Sequence, residues 1–181
     1  AGLFDVSHMG RVEIDGLGAA ASLNRVLSVD VSGLRIGRAR YNVICNEDGG
    51  IIDDCIVYRR GEERFLLIPN AGNRLAVLEW LARWAPSSDE VRIQDVTLRF
   101  AMIAHQGPRA EAILQGLTSA DLSAIRPFRA MDLEVAGVET MVARTGYTGE
   151  DGFELIMPSE DATTIWRALV ERGAAACGLG A

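Results

Sequence analysis

The sequence predicts an α+β fold of two related subdomains, each built on a mainly antiparallel sheet with helices packed against it. Three observations carry that reading. Strand-like runs are separated by turns of hairpin length, helical stretches alternate with them, and the pattern begins again after Pro86-Ser87-Ser88. The subdomains are therefore expected at residues 1–87 and 88–181.

Residues 11–15 alternate polar and apolar (Arg11, Val12, Glu13, Ile14), the period of a half-buried strand, and 19–27 reads as a short helix after a GLG turn. Runs 41–45, 54–58 and 64–68 read as three strands of one antiparallel sheet, joined by Gly49-Gly50 and by Arg60-Gly61-Glu62. Residues 74–85 form a strong helix, with Leu75, Leu78, Leu81 and Ala82 recurring at three and four and Pro86 stopping the run. Beyond it come strands at 91–94 and 98–105 and a helix from Pro108, whose missing N–H is harmless in a first turn. Strands at 131–135, 139–144 and 153–157 lead to a last helix over 159–172, with Ser159 as its expected N-cap and Ile165, Trp166 and Leu169 along it.

A chain of 181 residues, 49% hydrophobic and 24% charged, can bury a real core, and no apolar stretch approaches the roughly 18 residues of a membrane span. The net charge of −7 argues against a nucleic-acid surface, since no basic excess exists to displace counterions. All 18 basic residues are arginine, which excludes a Schiff-base or pyridoxal-phosphate lysine and a Walker-type phosphate loop. The three cysteines fit no zinc or redox spacing, and their odd number speaks against a disulfide framework and for a reducing, intracellular compartment. Two histidines, His8 and His105, are too few for a histidine-rich metal site, so no metal is expected. His8 reads as a structural histidine on an apolar strand, and His105 as a core or capping residue. Both ends of the chain give the impression of a fragment: no leader opens it, and GAAACGLGA ends it without a polar tail.

Two constellations carry chemistry. In NEDGGIIDD, residues 46–54, a Gly-Gly turn is followed by Asp53 and Asp54 at the start of a strand, where a carboxylate is held more rigidly than on a loop. Successive strand residues point to opposite faces, so only one of the pair can face a given pocket; the plainer alternative is that both are solvated. In RTGYTGEDGFEL, residues 144–155, three glycines within seven residues free the backbone for close approach to a flat ligand, and Glu154 follows early in a strand. The alternative there is a glycine-rich hairpin with wet carboxylates. Each half thus presents a glycine turn feeding a strand that opens with a carboxylate, and together they describe a cleft between two half-domains.

The strings LFDVSHMG, NEDGGIIDD, a strand ending in Asn70-Ala71, and GYTGEDGFEL, in this order and spacing, resemble the glycine cleavage system T-protein family, the tetrahydrofolate-dependent aminomethyltransferases. The resemblance runs the length of the chain and implies the two-part folate-binding core without the family's third, β-rich domain. It implies Asp54 as the catalytic aspartate, hydrogen bonding to the reacting folate and easing proton removal from one of its nitrogens, with Asp53 as structural neighbour. It implies Glu154 as the pterin anchor, because an ionised carboxylate only accepts while the pterin edge offers a ring N–H and an amino group side by side. Tyr41, Asn70 and Tyr147 match further folate contacts; Tyr41 alternatively packs within the sheet. A further folate-contacting arginine of the family would follow the GLGA string, where this chain ends.

The implied reaction takes an aminomethyl group from a protein-bound dihydrolipoyl arm, captures the one-carbon unit on tetrahydrofolate and releases ammonia. Its partners would be a lipoylated carrier, the H-protein, and tetrahydrofolate, with no metal, nucleic acid or membrane. Its place would be the bacterial cytoplasm or, in a eukaryote, the mitochondrial matrix. Three alternatives stand beside it. Iron–sulfur maintenance paralogues carry a cysteine where this chain reads Thr145-Gly146-Tyr147, and no cysteine lies between Cys55 and Cys177. Folate domains of demethylating amine oxidases or sulfonium demethylases share the fold but usually keep one acidic residue in place of the Asp53-Asp54 pair. A non-catalytic folate-binding module is the third. Arg35, Arg38 and Arg40 form a local positive cluster, read as a solvated loop or as a capture point for the anionic folate tail or an acidic carrier.

Overall fold

A computed structural model describes residues 1–85 and 90–181. The expected boundary near residue 87 and the Pro86 stop lie outside the described residues. Strands, in chain order, are β1 (Gly2–Asp5), β2 (Val12–Asp15), β3 (Ala39–Cys45), β4 (Ile51–Arg59), β5 (Arg64–Pro69), β6 (Arg92–Asp95), β7 (Phe100–Gln106), β8 (Ala130–Val135), β9 (Val138–Ala143), β10 (Gly152–Pro158) and β11 (Ala175–Cys177). The α-helices are α1 (Ala19–Val26), α2 (Arg74–Trp84), α3 (Ala110–Gln115) and α4 (Ala162–Glu171). They form two compact units, one contiguous over Met9–Thr97, the other made of Ala1–His8 and Leu98–Ala181. The chain passes between units after residues 8 and 97, and its first strand joins the later part of the sequence.

In the contiguous unit a five-stranded sheet runs β3-β4-β5-β2-β6, with every neighbouring pair antiparallel. Alternate residues Val12, Ile14, Cys55, Val57, Phe65 and Leu67 form one face and bury against Leu23 and Val26 of α1 and Val77 and Leu81 of α2. The stripe on α2 differs from the expected one: Leu75 is 65% exposed and Ala82 is exposed, while Val77 and Leu81 are buried. Leu75 sits two residues before Val77, about 200° around the helix, so both cannot face the sheet. The β3–β4 turn is held by Asn46, whose side chain accepts from Asp48 and Gly50 N–H at 3.1 and 2.7 Å, with only Gly49 at positive φ, +82°.

The ends of this unit are fastened to each other. Arg11 is buried; its backbone N–H donates to Thr97 Oγ1 at 2.9 Å, and its guanidinium donates to Met9 O at 2.8 Å and to Thr97 O.

In the other unit a six-stranded sheet runs β11-β1-β7-β10-β9-β8, antiparallel except for the β1–β11 pair. Leu3, Ile103, Val142, Phe153 and Leu155 pack with Ile113 and Leu114 of α3 and Ile165 and Leu169 of α4. Trp166 is only partly buried against this core. Strands β1 and β11 escape the sequence pattern, being four and three residues long. Ser159 is not the cap of α4. It lies in a short 3-10 turn and its hydroxyl donates to Leu98 O at 3.1 Å, while Asp161 precedes the helix without a side-chain cap. α3 begins at Ala110, after Pro108 has turned the chain. Among the described residues no helix is long and apolar enough to cross a membrane.

Candidate functional site

The acidic pair sits inside β4, at its third and fourth residues, rather than opening the strand. Partner strand β5 stops at Pro69, opposite Cys55, so β4 runs on past it with Asp53 and Asp54 unopposed on that side. Proline cannot continue the ladder as a donor, and the chain turns there into the 3-10 turn that leads to α2. Asn70 is the first residue of that turn-off, and it closes the gap.

Alternation puts the two carboxylates in different surroundings. Asp53, on the face shared with Cys55 and Val57, is 2% exposed. It accepts from the Asn70 backbone N–H at 2.9 Å, from Asn70 Nδ2 at 2.9 Å and from Asn73 Nδ2 at 2.7 Å. Asp54, on the opposite face, is part-exposed; it accepts from Asn70 Nδ2 at 3.0 Å on one oxygen and from the Tyr41 hydroxyl at 2.7 Å on the other. Tyr41 is half exposed and diagonal to Asp54 across the β3–β4 ladder, so it does not pack within the sheet. Asn70 Nδ2 also reaches Asp54 O at 2.8 Å, so its two hydrogens are shared among three oxygens. Carboxylates at this spacing fix which end of the amide faces them. The structure thus brings Tyr41, Asp53, Asp54 and Asn70 into one network, and adds Asn73, whose signal in the sequence is its place one turn after Asn70.

Beneath the pair, Cys55 is 3% exposed, and burial, then the charge of Asp53, pushes its thiol up to about 12, against the hydrogen bond with Asn42.

The second constellation belongs to the other unit. Glu154 is the third residue of β10, paired with Ala104 and Ala143, on the face opposite the core residues Phe153 and Leu155. Thr145 donates its hydroxyl to Glu154 Oε2. Tyr147, at the loop tip, is 93% exposed. The loop is closed at its base by Arg144, which donates to Asp151 Oδ1 at 2.9 Å through Nε, to Asp151 Oδ2 and Glu111 through Nη2, and lies over the Phe153 ring at 5.2 Å. The hydrogen bonds from Arg144 hold the Asp151 carboxyl below the usual carboxylate range, and Asp151 and Glu111 raise the guanidinium in turn.

One of the three glycines here makes room for a side chain of the protein itself and a second for the backbone of β7. Gln106, 3% exposed, enters the loop from β7 and donates to Thr145 O and Phe153 O at 3.0 and 3.2 Å. A Cβ on Gly146 would lie 2.0 Å from Gln106 Oε1, and one on Gly152 would lie 2.5 Å from His105 O. Gly149, at φ +76°, makes the turn itself. Gln106 has no sequence signal beyond a buried amide among apolar strand residues.

His8 lies exposed in a turn after β1, not on a strand, and His105 is fully buried in β7. Arg35, Arg38 and Arg40 surround a backbone turn in which Arg38 N–H donates to Arg35 O. Among the described residues no group of three or more His, Cys, Asp or Glu is placed to hold a metal ion.

The GCVT N-terminal domain family model matches residues 1–181. The aminomethyltransferase of Geobacillus kaustophilus is 48% identical over 186 residues, covering 100% of this chain and 50% of that protein. That of Bacillus subtilis is 46% identical over 186 residues, covering 100% and 51%. The chain spans about half the length of the curated relatives it matches. Among solved structures, glycine cleavage system aminomethyltransferase T from Bartonella henselae superposes at TM-score 0.86 and 33% identity, over 98% of this chain and 47% of that one. A heterotetrameric sarcosine oxidase from Corynebacterium sp. U-96 has a similar fold at TM-score 0.71 and 17% identity, over 94% of this chain and 82% of that one.

Proposed function

Because the chain belongs to the GCVT N-terminal domain family, we propose that it is the folate-binding part of a tetrahydrofolate-dependent aminomethyltransferase of the glycine cleavage system. The observation that carries this reading is the oriented Asp54 carboxylate, held on one oxygen by Tyr41 and on the other by Asn70, and part-exposed. A carboxylate so fixed needs no reorganisation to meet a developing positive charge or to take a proton from a folate nitrogen. Asp53, buried beneath, locks Asn70 and so the frame.

Glu154 is the proposed pterin anchor. Its carboxylate accepts only, and the pterin edge supplies two adjacent N–H donors in the matching geometry. Tyr41, Asn70 and Tyr147 are proposed as further folate contacts. In the reaction, two tetrahydrofolate nitrogens bond in turn to the CH2 carbon of aminomethyl-dihydrolipoyl on the carrier protein, and each gives up its N–H proton, one to the departing sulfur and one to the departing amine. The C–S bond breaks to give the dihydrolipoyl thiol, the C–N bond to the amine breaks to give ammonia, and methylene-tetrahydrofolate forms. The carbon changes partners without oxidation or reduction. The protein's share is orientation and one acid–base carboxylate.

The test is a titration with tetrahydrofolate read by quenching of Trp80, Trp84 and Trp166, on this chain and on Glu154→Ala and Asp54→Ala. Saturable binding, weakened in Glu154→Ala and largely kept in Asp54→Ala, is expected. Absence of saturable binding, or binding indifferent to Glu154, would overturn the assignment.

A further inference from the structure

Glu154 does not stand alone on its face of the sheet. The residues paired with it, Ala104 and Ala143, are too short to guide a long flexible side chain. Thr145, 7% exposed, meets its carboxylate from the loop before the strand. An ionised carboxylate has no hydrogen to give, so the hydroxyl is the donor, and its direction sets the rotation of the carboxylate plane. We propose that Thr145, seated by the buried amide of Gln106, is the positioning residue that aims the Glu154 carboxylate at its ligand. This rests on the reading of Glu154 as the anchor.

Gln106 acts on both sides of that contact. One nitrogen, Nε2, donates to Thr145 O at 3.0 Å and to Phe153 O at 3.2 Å. The first bond fixes the peptide of the residue that carries the hydroxyl, and the second fixes the peptide directly before Glu154. Both hydrogens of the amide are thereby used. Its oxygen accepts from the Thr148 hydroxyl at 3.2 Å, which ties the middle of the loop to the same side chain. The amide can lie there only because residue 146 has no Cβ, which would stand 2.0 Å from its oxygen. Gly146, the amide and the hydroxyl make one device. Confining a long acidic side chain before a ligand arrives removes an ordering cost from binding.

The experiment compares calorimetric titrations of tetrahydrofolate into this chain and its variants Thr145→Val, Thr145→Ser and Glu154→Ala. Affinity is read per binding-competent molecule from the stoichiometry, so a partly unfolded variant still reports. Thr145→Val keeps the shape without the hydroxyl and is expected to weaken binding about tenfold, the worth of a hydrogen bond to a charged group. Thr145→Ser restores the hydroxyl and is expected to restore most of the affinity, an outcome that simple loss of packing would not produce. If Thr145→Val binds like the parent while Glu154→Ala does not, the anchor stands and the positioning role is wrong. If Ser weakens binding as much as Val, the hydroxyl is not the agent and the proposal fails. If Glu154→Ala binds like the parent, the failure lies with the anchor reading beneath it.

Discussion

Asn70 donates through a single amide nitrogen to the side chains of both Asp53 and Asp54, at 2.9 and 3.0 Å, although the two carboxylates point to opposite faces of β4. This is possible only at the point where β5 has ended, because a continuing strand would fill the space with its own backbone. One side chain therefore couples a buried structural carboxylate to a part-exposed one proposed to do chemistry.

The coupling separates stability from activity. Asp53→Ala leaves two half-buried donors, the Asn70 backbone N–H and Asn73 Nδ2, without their acceptor, takes one of three acceptors from Asn70 Nδ2, and is expected to destabilise the fold by about 3 kcal/mol. Asp54→Ala, at a part-exposed position, is expected to cost about 1 kcal/mol or less while removing aminomethyl transfer. Urea unfolding of both variants, beside transfer assays with a lipoylated carrier in the longer protein, checks the contrast. Equal stability losses would contradict it.

Thiol chemistry reads out the same region. With its thiol pushed up to about 12, Cys55 is almost wholly protonated at pH 8 and shielded as well. A disulfide reagent at pH 8 is expected to label Cys45 and Cys177, both part-exposed, and to reach Cys55 only after urea is added. Three fast thiols in the native chain would show the strand to be open.

Burial lowers the titration of His105, and the nearby backbone of Ala110 and Gly2 offsets this in part. The ring is thus neutral in the fold where an unfolded histidine would begin to charge. The stability this leaves in place is full above about pH 6.5 and is lost as pH falls toward the depressed folded value, by up to about 1.4 kcal/mol per pH unit. His105→Leu is expected to flatten the difference between pH 6.5 and 5 in urea unfolding. A variant with the parent's slope would assign that slope elsewhere.

The loop glycines rank by what blocks them. Gly152→Ala meets the backbone carbonyl of His105 and is expected to cost about 3 kcal/mol, whereas Gly146→Ala meets the end of the Gln106 side chain and is expected to cost about 1–2 kcal/mol. Thermal unfolding of the pair decides the order, and an inverted order would mean that Gln106 is the less movable of the two obstacles.

Much of the fold was legible because its periodicities are local. The hairpins β3–β4 and β4–β5 and the strands β8, β9 and β10 follow from alternation and from turns a few residues long. Strand β1 was not legible, because it is four residues long and acquires its identity from β7, to which Ser7 bonds across 95 positions of sequence. The stripe of α2 was misplaced for a related reason: leucines at 75, 78 and 81 satisfy the helical period, but the sheet selects Val77 with Leu81. At the site, the carboxylates stood out by type, whereas Gln106, Asn73 and Thr145 are ordinary polar residues whose roles come from what the fold sets beside them. The glycines of the loop were visible, and their reason was not. Gly146 clears space for an internal amide and Gly152 for the backbone of β7, neither of which is beside the loop until β7 pairs with β10.

The Arg11–Thr97 fastening bears on the order in which the chain can assemble. Pairing β1 with β7 as an open coil means closing a loop of some ninety residues, a slow and entropically costly event. If the segment between them organises first, its own hydrogen bonds draw residues 11 and 97 together, and the six-stranded sheet then closes over a separation of only a few residues on each side. Pulse-labelled amide exchange during refolding is expected to show β4 and β5 protected before β1, with Arg11→Met delaying β1 more than it delays β4.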